Sequence, residues 1–128
     1  MITALYAGLL TVLYVVLAFL IIARRYRLRV GLGDGGDPAL QRAIRVHGNF
    51  GEYVPLGLVL MILSENLGSP SWLIHAVGLA LLCGRILHAF GLSRESDASP
   101  GRGAGMILTF AALLTAAGIC LFHAIAAA

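Results

Sequence analysis

The feature that most constrains this chain is the run from Ile2 to Ala23, which is almost wholly apolar and carries no charge. A helix needs about 20 such residues to cross a bilayer's hydrocarbon core, where backbone polar groups must be satisfied internally. The run therefore reads as a first transmembrane helix. Basic residues follow it and none precedes it, the pattern of an anchor rather than of a cleaved signal. Arg24, Arg25, Arg27 and Arg29 are expected to end the helix at the water side, with Tyr26 at the interface. Composition extends the reading to the whole chain. Of 128 residues 59% are hydrophobic and only 12% charged, where a soluble domain carries about a quarter charged. The fold expected is an all-α integral membrane bundle.

Glycines and a proline between Gly31 and Pro38 cannot continue the helix. Asp37 followed by Pro38 has the form of an N-cap with proline in the first helical position. A second helix is expected over residues 38–66, kinked or locally opened by Pro55. After a short turn with Gly68 and Pro70, Trp72 marks an interface, and a third span covers about 71–92. Ser93 to Gly105 reads as a polar loop carrying Arg94, Glu95, Asp97, Pro100 and Arg102. A last span, about 103–126, is rich in alanine and glycine, which permit close helix contact. All nine basic residues apart from histidine are arginine, and the second loop holds none of them. The positive-inside rule then puts segments 24–45 and 93–102 in the cytoplasm. The net charge of +3 is thus a topology signal, not a nucleic-acid footprint. Cys83 and Cys120 have no metal-ligand spacing and read as small core residues. The sequence contains no serine-histidine-acid arrangement, phosphate loop or zinc spacing.

One stretch does not fit a purely apolar bundle. From Arg42 to Pro55 the chain places two arginines, a histidine, an asparagine, a glutamate and a tyrosine at the mouth of a span. At about 100° per residue, Arg42, Arg45, Asn49 and Glu52 share one stripe, flanked by Tyr53. Two guanidiniums, an amide and a carboxylate suit a small zwitterion, carboxylates on the arginine forks and ammonium on Glu52. In the third span Arg85 and His88 stand one turn apart. Arg85 reads either as a functional cation or as the partner of an inter-helix ion pair with Glu52.

Arg45-x-His47-x-Asn49-x-x-Glu52-Tyr53-x-Pro55 on the second of four spans resembles the signature of the membrane-associated proteins in eicosanoid and glutathione metabolism. Gly84-Arg85-x-x-His88-x-x-Gly91 on the third resembles that family's second signature. The resemblance implies a four-helix bundle forming homotrimers, with glutathione as co-substrate at subunit interfaces near the cytoplasmic face. It implies glutathione contacts at Arg45, Asn49, Glu52 and Tyr53, a further basic contact at Arg42, and third-helix positions at Arg85 and His88. Arg102 is the nearest match to the arginine that stabilises the thiolate in family members. Well-studied members carry tyrosine at the position of His88, and some place a second tyrosine where Leu92 stands. The activity implied is conjugation or peroxide reduction by glutathione on lipophilic electrophiles, in the inner membrane of a bacterium.

Two other classes compete. His47 and His88 near one end of the bundle, with His75 and His123 near the other, are placed as haem ligands would be in a small membrane cytochrome. Glu52 alone would serve a proton-coupled transporter, although exporters of this size usually carry that acid in the first span.

Overall fold

The computed structural model describes residues 1–93 and 99–127. Among these the regular elements are four helices: α1 (Ile2–Leu28), α2 (Pro38–Asn66), α3 (Ser71–Ser93) and α4 (Pro100–Ala126). Each is long and apolar enough to cross a membrane. The all-α, four-span expectation is borne out, and two boundaries move. The arginines extend α1 instead of ending it, and the helix continues to Leu28. Arginine is a good helix former, and cations in a last turn complement the helix dipole. The stop comes at Arg29, whose φ of 55° is left-handed; the Val30 N–H then returns to the Arg25 carbonyl at 3.1 Å.

α2 begins as expected, with Asp37 Oδ1 accepting the Leu40 N–H at 2.6 Å and Pro38 in the first turn. Pro55 lies inside α2 without ending it. α4 starts at Pro100 rather than near residue 103: proline takes the first turn as Pro38 does in α2, with Ser99 in the N-cap position but making no side-chain capping bond. Arg102 and Gly105 thereby become helical residues. The loop residues Arg94, Glu95 and Asp97 lie outside the described residues.

The core is shared by Tyr6 and Leu10 of α1, Phe50, Val54 and Met61 of α2, Ile74 and Leu81 of α3, and Ala112 and Ala116 of α4. The closest approach is between α3 and α4, and it depends on glycine. A Cβ at Gly105 would lie 2.5 Å from the His88 nitrogen and 2.6 Å from the Gly84 carbonyl oxygen. A Cβ at Gly84 would lie 2.8 Å from Thr109 Oγ1. At the opposite end of the bundle, Glu65 of α2 accepts the N–H groups of Ile2 and Thr3, capping α1 from another helix. Tyr6 there donates its hydroxyl proton to the His75 carbonyl at 3.2 Å. Large apolar side chains, among them Phe19, Leu20, Leu114 and Phe122, cover the outside, as lipid contact requires.

Candidate functional site at one end of the bundle

Arg85 is the centre of the polar cluster, with 2% of its surface exposed. Its Nη1 donates to Asn49 Oδ1 at 2.6 Å, while Nε and Nη2 donate to Thr109 Oγ1 at 3.1 and 2.8 Å. Nη2 also meets Met106 Sδ at 3.4 Å, and the guanidinium carbon sits 5.7 Å from the centre of the Tyr53 ring. Thr109 passes its own proton to the Gly105 carbonyl at 2.8 Å. The cation is therefore held by neutral acceptors from α2 and α4. Glu52 does not pair with it. That carboxylate lies 3.5 Å from Arg45 Nη1 on its own helix. Two helical turns separate the residues, about 10 Å of axis, a gap two long side chains can close.

The stripe on α2 is thus divided. Asn49 is at its inner edge, buried and bonded to Arg85, whereas Arg45 and Glu52 are outside with side chains 67% and 50% exposed. Arg42 and Tyr53 are half-buried between these limits. The Arg42 Nε is shielded from solvent without a hydrogen-bond partner. A groove of about 320 Å³ is lined by Gln41, Arg42, Ile44 and Arg45. Tyr53 is met edge-on by Phe110 of α4, with ring centres 5.5 Å apart.

Behind this face lies His88, buried one turn beyond Arg85. Arg102 is the third residue of α4 and exposed. Its backbone packs on Gly91, where a Cβ would strike the Arg102 nitrogen and lie 2.8 Å from the Gly101 carbonyl carbon. A cation in the first turn of a helix opposes the helix dipole, which favours an anion there.

The four histidines have separate partners. His47 stacks on Tyr14 with ring centres 4.3 Å apart, His75 Nδ1 lies 3.0 Å from the Tyr6 hydroxyl, and His123 Nδ1 lies 2.9 Å from the Ile119 carbonyl of its own helix. None of the described contacts joins two histidine rings. Cys120 is partly buried, 3.6 Å from Ser64 Oγ, but Cys83 is exposed on the bundle surface, against the core reading. Sequence reasoning missed Thr109 and Met106. Its available signal was a hydroxyl four residues after Gly105, one of two threonines in a span of mostly apolar residues.

Four apolar helices, with Arg42, Arg45, Arg85 and Arg102 toward one end of the bundle, define a multi-pass helical membrane protein. Residues 3–122 match the MAPEG family, and the chain belongs to it. It is 41% identical over 114 residues to the inner membrane protein YecN of Escherichia coli strain K12, covering 89% of this chain and 86% of that protein. The inner membrane protein YecN of E. coli strain CFT073 matches equally. The four apolar helices and this similarity make the chain a multi-pass inner membrane protein.

Proposed function

We propose that the chain is a membrane glutathione transferase, or a peroxidase of the same thiol chemistry, acting on lipophilic electrophiles as a homotrimer with its sites between neighbouring chains. One observation carries this reading: the exposed Arg45–Glu52 pair, 3.5 Å apart, adjoins a groove of about 320 Å³ lined in part by Arg42 and Arg45, in which Arg42 Nε has no protein partner. With Arg42, Arg45, Arg85 and Arg102 the site has four cations against that one carboxylate, a surplus of three positive charges. Glutathione with an ionised thiol carries two carboxylates, an ammonium and a thiolate, a net charge of minus two. In this reading Arg42 and Arg45 take the carboxylates, Glu52 the ammonium, and Tyr53 closes the side of the site. Arg102 faces the sulfur. Asn49 and Arg85 work from behind, because Arg85 is buried and reaches the ligand through its field.

The location between chains rests on solvation. Arg45 and Glu52 stand on the outside of α2, and charged side chains within a span cost up to about 3 kcal/mol each at its centre on insertion scales. A neighbouring chain covers that face better than lipid does. The chemical demand is modest. A thiol with a free pKa of about 8.5 becomes mostly thiolate at neutral pH if lowered by about two units, equivalent to about 2.7 kcal/mol of preferential stabilisation. A guanidinium and a helix N-terminus in a partly dry site can supply that.

Calorimetric titration of the detergent-solubilised chain with glutathione tests the reading. The wild type is expected to bind, Arg45→Ala and Glu52→Gln to bind more weakly, and Arg102→Gln to bind while losing the ultraviolet absorbance of the thiolate. Absence of heat from the wild type would remove glutathione, and unchanged thiolate absorbance in Arg102→Gln would remove the role given to that arginine.

A further inference from the structure

A second polar feature lies away from this cluster, on the last turn of α1. A pocket of about 450 Å³ is lined by Ile22, Arg25, Tyr26, Arg29, Val30 and Gly31. We infer that this pocket binds a phosphate anion, presented by the headgroup of an anionic phospholipid, between the guanidiniums of Arg25 and Arg29.

Three observations bear on it independently. The first is an unmet donor: Arg25 lines the pocket and its Nη1, shielded from solvent, has no hydrogen-bond partner, so a small turn of the guanidinium toward the pocket gives that donor an anion oxygen without breaking a protein bond. The neighbouring Arg24 differs, since its Nη1 lies 3.9 Å from Asp37 Oδ1 across the loop. The second is backbone conformation. Arg29 is the one described residue other than glycine with a positive φ, 55°, at a helix-ending position where glycine is the usual choice. An arginine held there against its backbone preference is better explained by its side chain than by the turn. The third is depth. From Ile2 to Ile22 α1 spans about 30 Å, the thickness of a hydrocarbon core, so Ile22 in the pocket lining stands at the edge of the acyl chains while Arg25 and Arg29 stand in the headgroup layer. Tyr26, 82% exposed, has the amphipathic character favoured at that level.

The test is native mass spectrometry of the full detergent-solubilised chain given equal amounts of phosphatidylglycerol and phosphatidylcholine. The wild type is expected to retain phosphatidylglycerol preferentially. Arg25→Gln combined with Arg29→Gln should lower retention by about tenfold or more, the consequence of losing two charge-assisted contacts. Arg27→Gln, which removes a charge from a residue outside the pocket lining, should retain lipid as the wild type does. Equal retention by the wild type and the double variant, equal loss in Arg27→Gln, or no preference between the two lipids would overturn the assignment. Inorganic phosphate distinguishes the sources of the anion. Phosphate that displaces no lipid assigns the pocket to the headgroup; phosphate that displaces it, and binds only with Arg25 and Arg29 present, assigns the same anion site to the free ion. Arg29→Gly guards against misfolding as an explanation, because it should raise the unfolding temperature while lowering retention; retention at the wild-type level in that variant would also sink the proposal.

Discussion

Burying the Arg85 guanidinium with neutral acceptors leaves its charge uncompensated, so its stability depends on Asn49 and Thr109. A buried charged donor that loses its acceptor costs about 2 kcal/mol or more. Thr109→Val keeps the shape and removes the oxygen that receives both Nε and Nη2, and it should lower the unfolding temperature in detergent clearly, while Thr109→Ser stays close to the wild type. Equal stability of the valine and serine variants would show that the oxygen contributes nothing. The outer pair makes the opposite prediction. Exchanging Arg45→Glu with Glu52→Arg preserves an ion pair between exposed side chains, so folding should survive, yet glutathione binding measured by calorimetry should be lost because the ligand's charges now meet like charges. The polar stripe on α2 was legible in the sequence, since spacing alone aligns Arg42, Arg45, Asn49 and Glu52. Its division was not. A stripe about 80° wide straddles the boundary between bundle and exterior, and which edge faces inward is set by Arg85 and Thr109 on two other helices.

Where α3 and α4 meet, backbone approaches backbone, so an added methyl group has little room. Gly105→Ala would put a carbon 2.5 Å from the His88 nitrogen, and forcing the helices apart there is expected to cost about 1–3 kcal/mol. Gly118→Ala, where a Cβ meets nothing within 4 Å, should be neutral or slightly stabilising, because alanine is the better helix former. Thermal unfolding of the two variants side by side decides this, and a Gly105→Ala protein as stable as Gly118→Ala would refute the close seam. The close packing at Gly84, Gly91 and Gly105 also fixes the depth at which Arg85, His88 and Arg102 stand relative to one another. At this scale the helices themselves were legible from apolar length, and Asp37-Pro38 announced the start of α2. The ends of α1 and α4 were misread for one reason. Polarity does not mark a boundary there: arginine after a span extends a helix, and Pro100 begins one inside a polar segment.

Seen across the whole molecule, an even number of spans brings the loop before α2 and the start of α4 to the same side. The arginine clusters lie there, while the turn between α2 and α3 has none. With Cys83 and Cys120 replaced by alanine, a cysteine placed at Gly33 should be shielded from a membrane-impermeant maleimide in intact cells, and one placed at Ser69 should be labelled. The reverse pattern would invert the orientation, and with it the side from which the proposed thiol would arrive. The same arrangement argues for assembly. Each chain carries Arg45 and Glu52 on an outer face, and a bilayer solvates ionised groups poorly below its headgroups, so that face calls for protein against it. Cross-linking in native membranes, before any detergent is added, is expected to give a ladder ending at three copies of the 13.5 kDa chain. Glu52→Lys sets two cations beside each other on that face and should shorten the ladder, although the same variant retains Arg85 and the α3–α4 seam that hold the single chain together. A ladder of unchanged length in Glu52→Lys would mean that this face meets lipid after all, and the reading of a site shared between chains would fall with it.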